Sequence, residues 1–422
     1  MDTATQPSSA SADAAPYDLV VLGATGFVGQ ILCRYLLQHV NQVDADKTVK
    51  WAIAGRSPAK LDDLKAALGA AAANLPSLIV DVSDPASVQT LCAQARVIIS
   101  TVGPYALRGE LLVKTCAETG TDYCDLTGEP QWIRRMIRRY QSAAQQSGAR
   151  IVHCCGFDSI PSDLGVFYLQ QQAQQQFAQP CDRVKMQVKE ARGGVSGGTA
   201  ASGLNAVKEA IADPTIRQEL ANPYSLCPET PANHPPTMIP VAYDPDRQTW
   251  VAPFVMAEVN TRIVLRSNAL MDYAYGSTFQ YEEAIITGPD LPGWLAAQGL
   301  KLTMDALVLA ATLPPTRWLL ENTLLPKSGE GPTPEEQAQG FYDLRFYGTT
   351  PTGQTLQVTV TGDRDPGYGS TAKIVAQAGL CLAQDCPKSA QPGGFWTPAA
   401  LFGAALITRL EKYAGLTFNL VG

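Results

Sequence analysis

The run Gly23-Ala24-Thr25-Gly26-Phe27-Val28-Gly29 carries three glycines at a spacing suited to close contact with a phosphate. It follows the apolar segment Asp18-Leu19-Val20-Val21-Leu22 and precedes the amphipathic stretch Gln30 to Val40, a strand, a turn and a helix in succession. Glycines let the backbone turn sharply and approach a pyrophosphate, while free N–H groups and the helix dipole stabilise its negative charge. Gly23, Thr25, Gly26, Phe27, Val28 and Gly29 are therefore the expected cradle of a dinucleotide.

A second strand in such a fold ordinarily ends in an acid that holds the ribose 2′-hydroxyl of NAD. Here it ends Ala54-Gly55-Arg56-Ser57. A guanidinium offers paired donors to a 2′-phosphate and Ser57 adds another, so the expected cofactor is NADP. Asp81-Val82 closes the third strand, where Asp81 either accepts the adenine amino group or caps the following helix, and Val82 packs on the ring. After the fourth strand, Thr101-Val102-Gly103 is placed near the nicotinamide ribose, because carboxyl-end loops lie over the ligand crevice.

Tyr105 follows that loop and is the first candidate proton donor, the alternative being an aromatic wall of the pocket. Asp158 follows the sixth strand at the same edge; it either orients substrate or water, or serves turn and helix-cap chemistry. His153 reads as a strand residue of the core. None of the 15 tyrosines has a lysine four residues later, which removes the Tyr-x-x-x-Lys proton relay of short-chain dehydrogenases. Ten cysteines without a CxxC pair and only three histidines argue against a metal site and for a reducing, cytoplasmic setting.

Positioning these groups requires alternating βα units. The pattern predicts strands at Leu19 to Leu22, Trp51 to Ala54, Leu78 to Val82, Val97 to Thr101, Thr121 to Cys124 and Ile151 to Cys154. Helices fall at about 27–39, 59–73, 85–95, 109–119 and 131–147 between them. The fold class is α/β: an N-terminal Rossmann-type doubly wound parallel sheet, with a second α+β mixed-sheet domain. The expected division is a loose tail over 1–16, the NADP-binding domain over 17–165, a substrate domain over 166–365, and C-terminal helices over 366–422 that return to the first domain. Strands of the second domain are expected at Val184 to Ala191, Val259 to Leu265, Thr278 to Ile286, Tyr342 to Tyr347 and Thr355 to Thr361, with a Pro-rich loop from Pro228 to Pro240.

At 422 residues, with 45% hydrophobic and 17% charged residues, the chain is globular. A net charge of -7 argues against nucleic acid as a partner, since backbone phosphates select clustered Lys and Arg. The one dense basic run, Arg134-Arg135 with Arg138-Arg139, reads as a solvated helix face. Leu302 to Leu325 is the most apolar stretch, but Asp305, Pro314-Pro315, Arg317 and Glu321 interrupt it. Short apolar helices are expected there instead of a span, leaving peripheral membrane contact open.

Taken in order, the glycine loop, Ala-Gly-Arg-Ser, Val102-Gly103-Pro104-Tyr105, Tyr123-Cys124-Asp125-Leu126-Thr127-Gly128-Glu129 and Gly156-Phe157-Asp158-Ser159-Ile160-Pro161-Ser162-Asp163 resemble the saccharopine dehydrogenase-like oxidoreductases. Asp363-Arg364-Asp365-Pro366-Gly367-Tyr368-Gly369-Ser370-Thr371-Ala372-Lys373 and Gly393-Gly394-Phe395-Trp396-Thr397-Pro398 are similar to the C-terminal signatures of the subgroup containing the mycobacterial trans-acting enoyl reductases. The resemblance covers Tyr17 to Leu410. It implies an NADP-dependent oxidoreductase reducing an enoyl or carbonyl group of a small or lipidic, lipid- or polyketide-related substrate. Two rivals stand beside it: a carbon–nitrogen oxidoreductase, and a noncatalytic NADP-binding sensor or scaffold. Homodimerisation is the other partnership left open.

Overall fold

The computed structural model describes residues 15–40, 49–194, 197–229, 240–320 and 331–421. The tail over 1–14, most of the Pro-rich loop (230–239) and the end of the apolar stretch beyond Leu320 lie outside them.

The first unit builds β1 (Tyr17–Leu22), α1 (Phe27–His39), β2 (Trp51–Gly55), α2 (Pro58–Leu68), β3 (Ser77–Ile79), α3 (Pro85–Gln94), β4 (Ala95–Ser100), α4 (Tyr105–Arg108), α5 (Glu110–Thr119), β5 (Asp122–Asp125), α6 (Pro130–Ser147) and β6 (Arg150–Val152). Near-continuous apolar runs such as Leu19-Val20-Val21-Leu22 form strands because helices cover both faces of the sheet. Ser57 caps α2 by accepting the Lys60 N–H at 3.3 Å, and Asp84 caps α3 by accepting from Ala86 and Ser87.

The chain continues through α7 (Ile160–Phe177), β7 (Arg183–Arg192), α8 (Gly197–Ala212), α9 (Pro214–Ala221), β8 (Ala242–Asp244), β9 (Thr249–Pro253), α10 (Ala257–Leu270), β10 (Gln280–Gly288), α11 (Asp290–Thr312), α12 (Pro314–Leu319), α13 (Pro334–Gln339), β11 (Phe341–Thr349) and β12 (Thr355–Gly362). It ends in α14 (Thr371–Gln384), β13 (Gly394–Trp396), α15 (Pro398–Arg409) and β14 (Leu416–Val421).

Two seven-stranded sheets result. The first has the order β13-β6-β5-β4-β1-β2-β3 and is parallel throughout, the doubly wound arrangement with a seventh strand at its edge. The second runs β14-β12-β11-β7-β10-β9-β8 and is mixed: β7 and β10 are parallel, their neighbours antiparallel. The C-terminal segment is thus more than helices, since β13 extends the first sheet and β14 the second. Helix α14 packs on α1, where the Tyr35 hydroxyl donates to the Tyr413 carbonyl at 2.9 Å and accepts from Gln377 at 2.7 Å.

Val259 to Leu265, expected as a strand, is the middle of helix α10. The β-branched run suggested a strand. Tertiary packing overrides that propensity, because burying a strand here would leave Arg262 and Arg266 without acceptors. In the helix, Arg262 reaches the Leu220 carbonyl and the Ser225 hydroxyl, and Arg266 reaches the Leu226 and Phe395 carbonyls.

Candidate functional site

The site is assembled on the carboxyl edge of the first sheet, from the loops after β1, β2, β3, β4, β5 and β6. Gly23 has φ +86°, a conformation that favours glycine, and a Cβ there would lie 2.6 Å from the Thr101 hydroxyl oxygen. A Cβ at Gly29 would collide with the Gly23 carbonyl oxygen. Gly26 is the N-cap of α1 without any side-chain cap, which leaves the first-turn N–H groups for a ligand. Thr101 stitches the β1 and β4 loops together by donating its hydroxyl to the Leu22 and Gly23 carbonyls at 3.2 and 3.1 Å. The glycines, the bare helix end and the stitched loops fit a dinucleotide pyrophosphate, with Thr25, Phe27 and Val28 completing the turn.

Arg56 stands exposed just beyond β2, where no carboxylate replaces it. Ser57 is beside it, but its oxygen is engaged as the α2 cap, so Arg56 is the principal donor available for a 2′-phosphate. Asp81 is not the helix cap, a role Asp84 takes; its Oδ1 accepts the N–H and hydroxyl of Ser83 at 2.9 and 2.7 Å. Those bonds hold its carboxyl below the usual range, helped by the Arg56 charge. Val82 is half-buried against the sheet, and Thr101, Val102 and Gly103 are likewise half-exposed at the crevice.

Tyr105 differs from the expected proton donor. Its side chain is buried, and the hydroxyl donates to the Ser100 carbonyl at 2.9 Å while accepting the Leu126 N–H at 3.2 Å. Burial pushes its pKa well above the ordinary tyrosine value, with Asp125 adding to the effect. A hydroxyl so committed braces the β4 and β5 loops and has no proton to spare for substrate.

Asp158 presents the opposite picture. Its half-exposed carboxyl has no hydrogen-bond or ion-pair partner among the described residues, and desolvation raises its pKa to about 6. It does not cap α7, whose N-cap position is Ser159, a residue that donates to Asn260 Oδ1 at 2.8 Å. The loop is held instead by the Phe157 N–H, donated to the Thr371 hydroxyl at 3.0 Å.

Sequence reasoning missed two further groups. Glu129, fully buried, accepts the N–H groups of Tyr105 and Ala106 at 2.8 and 3.0 Å and the Ser202 hydroxyl of α8 at 2.8 Å. Burial raises its pKa. It ties the loop after β4 to an arm from the second unit, 73 residues away in sequence. His153 is paired by its Nδ1 with Asp125 Oδ2 at 2.7 Å, and its Nε2 is buried without a partner against Trp132 and Phe395. Asp125 also accepts from Tyr123, Thr127 and Cys154. The only signal for either acid was its place in the Asp125-Leu126-Thr127-Gly128-Glu129 run.

Among the described residues, no helix is long and apolar enough to cross a membrane, and no group of three His, Cys, Asp or Glu could hold a metal.

Residues 19–152 match the model of the saccharopine dehydrogenase NADP binding domain. A trans-acting enoyl reductase of Mycobacterium tuberculosis is 37% identical over 408 residues, 93% of this chain and 95% of the relative. One from Mycobacterium leprae is 35% identical over 418 residues, covering 95% and 97%. Among solved structures, saccharopine dehydrogenase (L-Glu forming) of Saccharomyces cerevisiae superposes with TM-score 0.54 at 13% identity, over 96% of this chain and 99% of that one. That last likeness is one of fold. The glycine cradle, the Arg56 tip and these full-length relatives together show that the chain belongs to the saccharopine dehydrogenase-like family, in the group of trans-acting enoyl reductases, and is an NADP-dependent oxidoreductase.

Proposed function

We propose that the chain reduces a carbon–carbon double bond conjugated to a carbonyl, in a lipid- or polyketide-related substrate, and that Asp158 supplies the proton. The observation that carries this reading is the unpaired Asp158 carboxyl at the carboxyl edge, raised to about 6. A general acid works best when its pKa lies near the working pH. When bound, NADPH supplies the hydride, so the chain's own task is alignment and one proton. Gly23, Gly26 and Gly29 admit the pyrophosphate, Arg56 takes the 2′-phosphate, and the Thr101 to Gly103 loop, braced by Tyr105 and Glu129, sets the wall beside the reacting carbon.

The names of the full-length relatives favour the enoyl reading. Against a carbon–nitrogen substrate stands the use of the second unit's arginines. An amino-dicarboxylate calls for convergent free cations, yet Arg262 and Arg266 are spent on backbone carbonyls and Arg192 bonds Gln339 at 3.2 Å. The lipid side of the reading is supported by α11 and α12, which expose Leu302, Leu307, Leu309, Leu313 and Trp318. We infer peripheral contact with a lipid surface through that face.

The test is NADPH consumption with α,β-unsaturated acyl thioesters of increasing chain length. Turnover that rises with chain length and collapses in Asp158→Asn is expected. Turnover with imines or keto acids plus ammonia, and none with enoyl compounds, would replace this reading with the amine one.

A further inference from the structure

The four arginines Arg134, Arg135, Arg138 and Arg139 do not form the solvated face that their spacing suggested. They line a cavity of about 340 Å³ between α6 and α9, together with Gln131 and Glu219. Glu219 lies 2.8 Å from Arg134 and 3.4 Å from Arg138, Glu209 lies 3.6 Å from Arg135, and Glu110 lies 2.6 Å from Arg139. Those acids neutralise the arginines only in part, three carboxylates serving four guanidinium groups.

Hydrogen bonding is less complete still. Gln131 is only 4% exposed, and its Nε2 donates to Glu209 at 3.0 Å, but its Oε1 is buried and unpartnered. The Nε atoms of Arg134 and Arg135 are also buried without an aligned acceptor; the Arg134 approach to Glu219 is an ion pair that does not use the Nε–H. Two orphaned cationic donors and one orphaned acceptor thus border one void. Leaving such groups unsatisfied is costly, and the complement is an anion with several acceptor oxygens and one hydroxyl. A phosphate group has both.

We propose that this cavity is a binding site for a phosphate ester, the distal phosphate of the molecule whose double bond is reduced. This rests on the enoyl reading above, with the acyl group carried as a pantetheine thioester. The location agrees with it. Helix α6 starts at Pro130, next to the Glu129 carboxylate that holds the Tyr105 and Ala106 N–H groups beside the crevice. At 1.5 Å per residue, Arg134 to Arg138 lie about 7 to 14 Å along the helix from that point. A long substrate with its acyl end at the crevice places its other end in this direction.

The experiment uses the full chain saturated with NADP, so that the dinucleotide site is filled, and titrates inorganic pyrophosphate by calorimetry. Thr215→Glu puts a carboxylate on the exposed α9 side of the cavity, at an early helix position where an acid is favourable, so the fold is kept. Arg135→Gln with Arg138→Gln removes charge from the α6 side. Saturable one-to-one binding, weakened at least tenfold by either variant while circular dichroism is unchanged, is expected. Each variant should also raise KM for an enoyl-CoA thioester and leave kcat and the KM of the phosphate-free N-acetylcysteamine thioester alone. No saturable binding, or binding indifferent to both variants, overturns the site. Binding that responds while the two thioesters shift together overturns its assignment to substrate. Should no enoyl thioester be reduced at all, the enoyl reading falls, and the pyrophosphate titration still decides whether the cavity takes an anion.

Discussion

The carboxyl edge of the first sheet has two ends that work in different ways. At the β1-β2-β3 end the functional groups are backbone N–H groups and exposed side chains: Gly26 caps α1 without a side chain, and Arg56 stands in solvent. At the β4-β5-β6 end they are side chains withdrawn from water, with Tyr105, Glu129 and Asp158 all raised in pKa by burial. A dinucleotide's phosphates need fixed dipoles and close approach, which a turn provides locally. A proton transfer needs a group held away from its preferred state, which only neighbours from distant segments can impose.

The largest effect should come from filling the turn. Gly29→Val drives a side chain into the Gly23 carbonyl, and NADPH affinity should fall on the order of 100-fold, about 2.7 kcal/mol. Fluorescence titration with circular dichroism reads it. A folded variant that binds normally would show that the β1 end is not where the pyrophosphate lies. Gly26→Val is milder for the fold, since its Cβ would meet the same carbonyl at 3.2 Å, and acts by blocking the phosphate approach.

Asp158→Asn sharpens the contrast from the other end. Losing a general acid costs about 100-fold or more in kcat, while NADPH affinity, set at the opposite end, should stay the same. The proton donor is competent below its pKa of about 6, so activity should fall as pH rises through that value. In Asp158→Asn that limb should vanish. A variant that keeps the wild-type profile would move the proton donor elsewhere.

The same contrast explains what could be read from the sequence. Gly23, Gly26, Gly29 and Arg56 were legible because their roles depend on neighbours within a few residues. Tyr105 was misjudged because its hydroxyl is claimed by Ser100 and by Leu126, the latter 21 residues on. The Asp125–His153 pair is separated by 28 residues and the Glu129–Ser202 bond by 73, so no local pattern announces either. Helices α8 and α9 were missed entirely. Helix α10 was read as a strand because Ile263-Val264-Leu265 has β-branched character, while the acceptors that make Arg262 and Arg266 tolerable come from other segments. The strand order, by contrast, follows from the alternation of short apolar runs with helices.

A smaller effect tests the specificity of the β2 tip. NADPH should bind at least about tenfold tighter than NADH, 1.4 kcal/mol, and Arg56→Ala should erase the difference with little loss of NADH affinity. The residue is exposed and bonded to no other side chain among those described, so its removal leaves the fold intact. Equal affinities in the unaltered protein would assign the 2′-phosphate to another group.

The smallest expected effect lies away from both ends. Helix α11 runs without a break to Thr312, and α12 begins at Pro314 after a turn at Leu313. Leu307 is 48% exposed, Leu309 62% and Leu313 51%. The nearby cations give little electrostatic anchorage, since Lys301 is paired with Asp305 on the same helix. Attachment to a bilayer through this face would therefore be driven by removal of apolar surface from water, and would survive salt that screens charge. The protein should float with neutral liposomes at both low and high salt. Replacing Leu307, Leu309 and Leu313 by serine should lower the bound fraction roughly fivefold, about 1 kcal/mol, because α12 keeps Trp318 and Leu319 exposed for contact. NADPH affinity should not move, which separates lost attachment from a damaged fold. A protein that stays in the dense fraction at both salt concentrations ends the membrane reading, and the lipidic substrate then stands or falls on whether long acyl thioesters bind more tightly than short ones.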